Sequence, residues 1–309
     1  MKLTFSPSPH LKSGETTSKI MFSVILALLP AGFWGVYKFG IQAAWVVVTA
    51  VVSCVAIEFI TQKFIFKTEV RVHDGSAALT GLLMSLSLPP GLPLWEVIIG
   101  SFAAIFIVKE CFGGLGFNIF NPALIGRGVL LASFPIDMTH KWQVDGITQA
   151  TPLALVKEKI TGAQLPSHQD LFFGNIPGSI GEVSKLLLLL GAIYLFSRRI
   201  ISWQIPLTYL ATVFVLSIPF GQDLLWPVLT GGLILGAFFM ATDYVTSPMT
   251  NKGKIIFGFG CGLLTVLIRK FAAYPEGVCY AILMMNILVP LIDRFTQPRV
   301  FGGLHERNI

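Results

Sequence analysis

Charged side chains are scarce in this sequence. Only 12% of its 309 residues are Asp, Glu, Lys or Arg, whereas 54% are hydrophobic. A soluble chain of this size carries about a quarter of its residues as charges, so an ordinary soluble fold is excluded. Cysteine is sparse as well. Cys54, Cys111, Cys261 and Cys279 stand far apart, with no CxxC pair. No cluster or zinc motif can be read from them, and each is expected as a small buried apolar group. No GxGxxG turn and no Walker loop occurs, so the chain offers no nucleotide-phosphate motif of its own. A cleavable signal peptide is not expected either. The first apolar block begins near Ile20, runs too long, and lacks a clear small-residue cleavage site.

What the sequence does have is long apolar blocks, with a mean hydropathy of +0.74. They read as about ten segments. The first five are Ile20–Tyr37, Ile41–Phe64, Gly75–Leu88, Trp95–Val108 and Asn118–Phe134. After a polar connection from Pro135 to Lys185 come Leu186–Phe196, Trp203–Phe220, Leu225–Ala241, Ile255–Ile268 and Gly277–Ile292. The expected fold is an all-α integral membrane protein of about ten transmembrane helices, some of them short or broken. The net charge of +6 does not suggest nucleic acid, because the basic residues sit in short clusters between apolar blocks. Placing both termini in the cytoplasm puts Lys63, Lys67, Arg71, Lys109, Arg198, Arg199, Lys252, Lys254 and Arg294 on one side. The Pro135–Lys185 loop then faces outward, at an exposed position.

The two sets of five echo each other. Leu79-Thr80-Gly81 in the third segment matches Leu229-Thr230-Gly231 in the eighth. Both segments end at proline, Pro89 and Pro248. The next segments end in charge, at Lys109-Glu110 and Arg269-Lys270. The last ones contain Asn121 and Asn286. Five is odd, so the second copy enters from the opposite side, which makes an inverted repeat. The expected organisation is a first five-helix repeat over 1–135, an outward loop over 136–185, and a second repeat over 186–309. Asp74, Asn118, Asn121, Arg127 and Asp243 are polar groups in or beside membrane-level sequence. Such groups are paired, water-exposed or functional. Asp74, Asn118, Asn121 and Asp243 are expected to line a shared site between the halves. There they would satisfy broken-helix backbone, touch a bound group or bind a passing cation, with the backbone role ranked first.

The loop reads Asp145-Gly146-Ile147-Thr148-Gln149-Ala150-Thr151-Pro152-Leu153. By composition alone, Thr151 is a helix N-cap and Pro152 the first helical residue. The same stretch resembles the pattern read by FMN transferases, Asp-x-x-(Ser/Thr)-Gly-Ala-(Ser/Thr). Asp145, Thr148 and Ala150 fall on its positions, and Gln149 replaces its Gly. The resemblance implies that Thr151 accepts FMN through a phosphoester.

Other stretches agree: Ser8-Pro9-His10, His73 through Gly81, Asn118-Ile119-Phe120-Asn121-Pro122-Ala123, and Ala241 through Pro248. Together they resemble the D subunit of the Rnf electron-transport complex, itself similar to the B subunit of the sodium-pumping NADH:quinone oxidoreductase. The resemblance implies two inverted five-helix halves like those of urea transporters. It also implies a subunit, not catalytic alone, of a complex in the bacterial inner membrane. Electrons would pass between ferredoxin and NAD, coupled to sodium or proton movement. Covalent FMN is the implied cofactor, and a second, non-covalent flavin is considered beside it. The implied partners are the other Rnf subunits, an FMN transferase and membrane lipid. Lys157 and Lys159 are candidates to flank the linking phosphate. The rival reading is a channel or carrier for a small polar solute.

Overall fold

The computed structural model describes residues 16–141, 143–144, 147–148, 151–157, 166–218, 225–272 and 276–298. Each of the ten apolar segments contains helix. Helix α1 (Thr17–Phe39) is started by Thr16, whose hydroxyl accepts the Lys19 N–H at 3.3 Å. Helix α2 (Ile41–Ile60) widens into a π turn ending at Ile65. Then follow α3 (Ser76–Leu86), α4 (Leu94–Phe102, extended as a π turn to Glu110) and α5 (Pro122–Ser133).

The connection carries α6 (Pro135–His140), the antiparallel pair β1 (Gln143–Val144) and β2 (Ile147–Thr148), α7 (Pro152–Lys157) and α8 (His168–Phe173). Beyond it lie α9 (Lys185–Ser197) and α10 (Gln204–Ser217). The eighth segment splits into α11 (Trp226–Leu229) and α12 (Leu233–Leu235, extended as a π turn to Met240). Helices α13 (Asn251–Phe271) and α14 (Val278–Thr296) complete the order.

Among the described residues, Thr17–Phe39, Ile41–Ile65 and Val278–Thr296 are long and apolar enough to cross a bilayer alone. Their outer faces are apolar, with Phe22, Leu26, Phe33, Trp45, Val48 and Val52 exposed. A surface of that kind suits lipid and not water. The core is one body shared by both halves, with Leu28, Met84, Leu124, Leu188, Tyr209, Phe257 and Ile282 buried together. Of the cysteines, Cys54, Cys261 and Cys279 are buried as expected, but Cys111 is exposed in the turn after α4.

The short helices are the unusual part. Helix α3 has 11 residues, so it spans about 16 Å, roughly half of a hydrocarbon core. All its residues but Ala78 are buried. Its approach to α2 depends on Gly81, where a Cβ would stand 2.6 Å from the Ala50 carbonyl oxygen.

The carbonyls left over at the end of α3 find partners far along the chain. The Gly181 N–H donates to Leu86 O at 2.7 Å, and the Ile180 N–H donates to Leu88 O at 3.1 Å. Residues 178–185 are buried throughout. This corrects the expectation of a polar outward connection running to Lys185. Its last eight residues turn back into the protein and close the broken helix, because in lipid no water would do so.

Candidate functional site

A narrow cleft opens between the two halves. Its lining includes Ser76, Thr80, Lys109, Asn118, Asn121 and Asp243. Three of the four residues expected to line a shared site therefore meet there. Asp74 does not line it. Its carboxylate accepts the Ser76 N–H at 2.7 Å and the Ser76 hydroxyl at 2.5 Å, fixing the start of α3. It faces a neighbouring polar cleft with Glu58, Gln62 and Glu110.

Asn118 and Asn121 bond to backbone. The Asn118 amide donates to Phe120 O at 3.0 Å. Asn121 accepts the Leu124 N–H at 3.3 Å, capping α5, and donates to Met240 O at 3.1 Å across the halves. Asn286 lies within reach of the same point. With its amide oxygen turned toward Asn121 N at 3.2 Å, its nitrogen meets Thr246 O at 3.1 Å. The two asparagines matched in the sequence repeat are thus neighbours. Asp243 accepts the Thr246 hydroxyl at 3.1 Å.

Two ion networks flank this centre, and their pairings were not legible in the sequence. Lys109, 2% exposed, donates to both Glu58 oxygens at 2.9 Å and to the Ser76 hydroxyl at 2.6 Å. Gln62 bridges Glu58 and Glu110, at 3.1 and 3.2 Å. At the other end, Arg127 pairs with Glu276. Arg269 donates to Pro227 O at 2.6 Å, Thr230 O at 3.0 Å and Glu276 O at 3.1 Å. The buried Lys185 donates to Glu182 O and, at 3.3 Å, to Gly231 O. Fixed cations thus occupy the carbonyls freed where α11 and α12 break. The two networks correspond: a cation at the end of the fourth helix of each set holds the third.

The helix that the loop threonine starts packs beside the second network, through Leu153 over Gly231. Thr151 starts α7, with its hydroxyl accepting the Ala154 N–H at 3.3 Å and Pro152 behind it. The composition reading as an N-cap is therefore correct locally. The expected exposure is not, since Thr151 is only 6% exposed. Leu153 buries its side chain with Leu171, Ile176 and Trp226, and Val156 and Leu229 pack around them. The place of Leu153 is left free by Gly231, which has φ of +65° and where a Cβ would stand 2.7 Å from Leu153 Cδ1 and 3.4 Å from Arg269 Nη2. Lys157 donates to the Ala272 carbonyl, and partial burial holds its pKa below the usual lysine range. Thr148 ends β2, opposite Gln143. Asp145, Ala150 and Lys159 lie outside the described residues.

Long lipid-suited helices, short helices closed by distant backbone, and ion pairs buried in an apolar body define a multi-pass integral membrane protein. The chain belongs to the NQR2, RnfD, RnfE family, whose model matches residues 4–302. It is 49% identical to a Clostridium ljungdahlii protein, named as the D subunit of a proton-translocating ferredoxin:NAD(+) oxidoreductase complex, over 97% of this chain and 96% of that one. Identity is 48% to an Acetobacterium woodii protein, named as the D subunit of a Na(+)-translocating ferredoxin:NAD(+) oxidoreductase complex, over 98% and 96%. A Stutzerimonas stutzeri protein, named as the D subunit of an ion-translocating oxidoreductase complex, is 40% identical over 93% of each chain.

Proposed function

We propose that this chain is the D-type membrane subunit of an Rnf-type ferredoxin:NAD oxidoreductase, that it carries FMN esterified to Thr151, and that it takes part in ion-coupled electron transfer. The observation that carries the FMN assignment is the placement of Thr151. The last residue of the flavinylation pattern starts a helix seated on the membrane body by Leu153 and Lys157. A tether so seated holds a redox group at a defined place, which a free loop would not. The threonine hydroxyl has the chemistry to form the phosphoester. When bound, the flavin accepts electrons and passes them on. The chain's own residues supply the rest: Thr151 anchors, Leu153 and Lys157 fix the anchor, and the Arg269 network keeps the underlying break rigid.

Packing supports two inverted halves. Helix α2 lies on α3 and α4, and α4 on α5. Likewise α10 lies on α11 and α13, and α13 on α14. Each half meets the other through counterparts, α1 on α9 and α5 on α14. The cleft between the halves sets Asn118, Asn121 and Asp243 beside apolar side chains. It is the place proposed for a second, non-covalent flavin. The solute-channel reading has one observation in its favour, the same cleft, but the break at Thr230–Gly232 is stopped by Arg269 and Lys185.

Both termini are assigned to the cytoplasm of a bacterial inner membrane, with Thr151 outside. The transported ion is left unassigned, because relatives of nearly equal identity are named for protons and for sodium. The test is direct. The denatured wild-type protein should fluoresce yellow-green on a gel under ultraviolet light. Thr151→Ala should remove that fluorescence and the FMN mass while leaving membrane-inserted protein near normal. An FMN-sized adduct that persists at Thr148 in Thr151→Ala refutes the assignment, and a non-fluorescent wild type favours the channel.

A further inference from the structure

The acceptor hydroxyl is closed in. Thr151 is 6% exposed, its Oγ1 is turned to the Ala154 N–H, and Leu153 beside it is packed among Leu171, Ile176 and Trp226. Esterification requires the opposite arrangement. In that step the phosphoanhydride bond of a donor such as FAD breaks and a bond from phosphorus to Thr151 Oγ1 forms. The hydroxyl proton is released and AMP departs, with no electrons transferred. Oγ1 must be free on the side of attack and open to the enzyme that carries the flavin phosphate. In the docked form the Ala154 N–H and the packed Leu153 hold it away from such an enzyme.

The way out is short. Helix α7 has six residues, far fewer than a helix needs to persist without packing. Among the described residues it is seated on the membrane body by Leu153 over Gly231, by Val156 on the same small cluster, and by Lys157 on the Ala272 carbonyl. A short helix seated through one small cluster opens locally at lower cost than the shared core beneath it. The receiving surface, by contrast, is rigid. Arg269 ties Pro227, Thr230 and Glu276 together under Gly231.

We propose that α7 is a latch, and that Leu153 is the positioning residue that decides whether Thr151 faces the membrane body or the modifying enzyme. Resting on the assignment of FMN to Thr151, this places flavin addition on the undocked form, with redocking of α7 afterwards. Cleft, networks and helices stay in place while the latch opens. The rate of addition then follows the population of the open form when opening is fast relative to transfer.

The experiment uses the full chain, expressed without an FMN transferase and purified unflavinylated. Transferase and FAD are added, and flavin incorporation is followed by in-gel fluorescence and intact mass. Wild type is compared with Leu153→Ala. A synthetic peptide spanning residues 143–157, with and without the same substitution, reports any direct effect of residue 153 on the transferase. A buried leucine truncation shifts a local opening equilibrium enough that the rate should rise about ten-fold in the protein. The two peptides should react alike, and faster than the wild-type protein. Equal rates for wild-type and Leu153→Ala proteins, or an equal acceleration in the peptide, overturn the latch. A wild-type chain and peptide that both take up no flavin overturn the Thr151 assignment itself.

Discussion

Lys109 and Glu58 bind each other between two clefts, and each side chain is almost fully buried. Their value lies in being paired. Replacing one member leaves the other buried and uncompensated, a loss of about 3–5 kcal/mol, whereas replacing both with apolar or neutral groups of similar size is often close to neutral. Lys109→Met is therefore expected to lower the thermal midpoint of the purified subunit sharply, and adding Glu58→Gln to recover much of the loss. Fluorescence-monitored unfolding in detergent reads both. A double variant as unstable as the sum of its single variants refutes the pairing. The sequence placed Lys109 at the end of a segment but gave no sign of its partner, which stands 51 positions away. The same holds for Arg127 and Glu276, 149 positions apart. Distant polar pairs carry no periodicity, so a reading by local pattern passes over them.

Apolar runs leave a clear record by comparison, because length and hydropathy are local properties. The run read as Ile41–Phe64 is helix Ile41–Ile65, and the run read as Leu186–Phe196 is helix Lys185–Ser197. Leu229-Thr230-Gly231, matched in the sequence to the third segment, falls where the eighth segment breaks, and Pro89 marked the stop after α3. What escaped the sequence is the burial of residues 178–185. Gly178-Ser179-Ile180-Gly181-Glu182-Val183-Ser184-Lys185 has the composition of a surface loop. The need of α3 for backbone partners, the core place of Ile180 and the bond from Lys185 to Gly231 O draw it inward. The close contact of α2 with α3 yields a prediction at this scale. Gly81→Val puts side-chain atoms where 2.6 Å separates a bare Cβ from Ala50 O. Overpacking of that kind costs about 1–3 kcal/mol, occasionally more. The variant should insert but unfold at a clearly lower temperature, and an unchanged midpoint argues against the close approach.

At the scale of the whole molecule, the proposed topology can be read by chemistry from outside the cell. In a Cys111→Ser background, Gln169→Cys at the start of α8 should react with an impermeant maleimide in intact cells. Met249→Cys, in the exposed turn before α13, should react only after permeabilisation. The reverse pattern inverts the topology. The seat of residues 178–185 has a consequence for how the protein is made. Translation delivers α1 to α5 long before Ile180 and Gly181 leave the ribosome, yet the Leu86 and Leu88 carbonyls wait for those two residues. The nascent first half is therefore inserted but unfinished, a natural client for membrane chaperones and a target for quality-control proteolysis. A gene cut after residue 135 would not yield half a protein, because the segment that completes the first half is synthesised with the second.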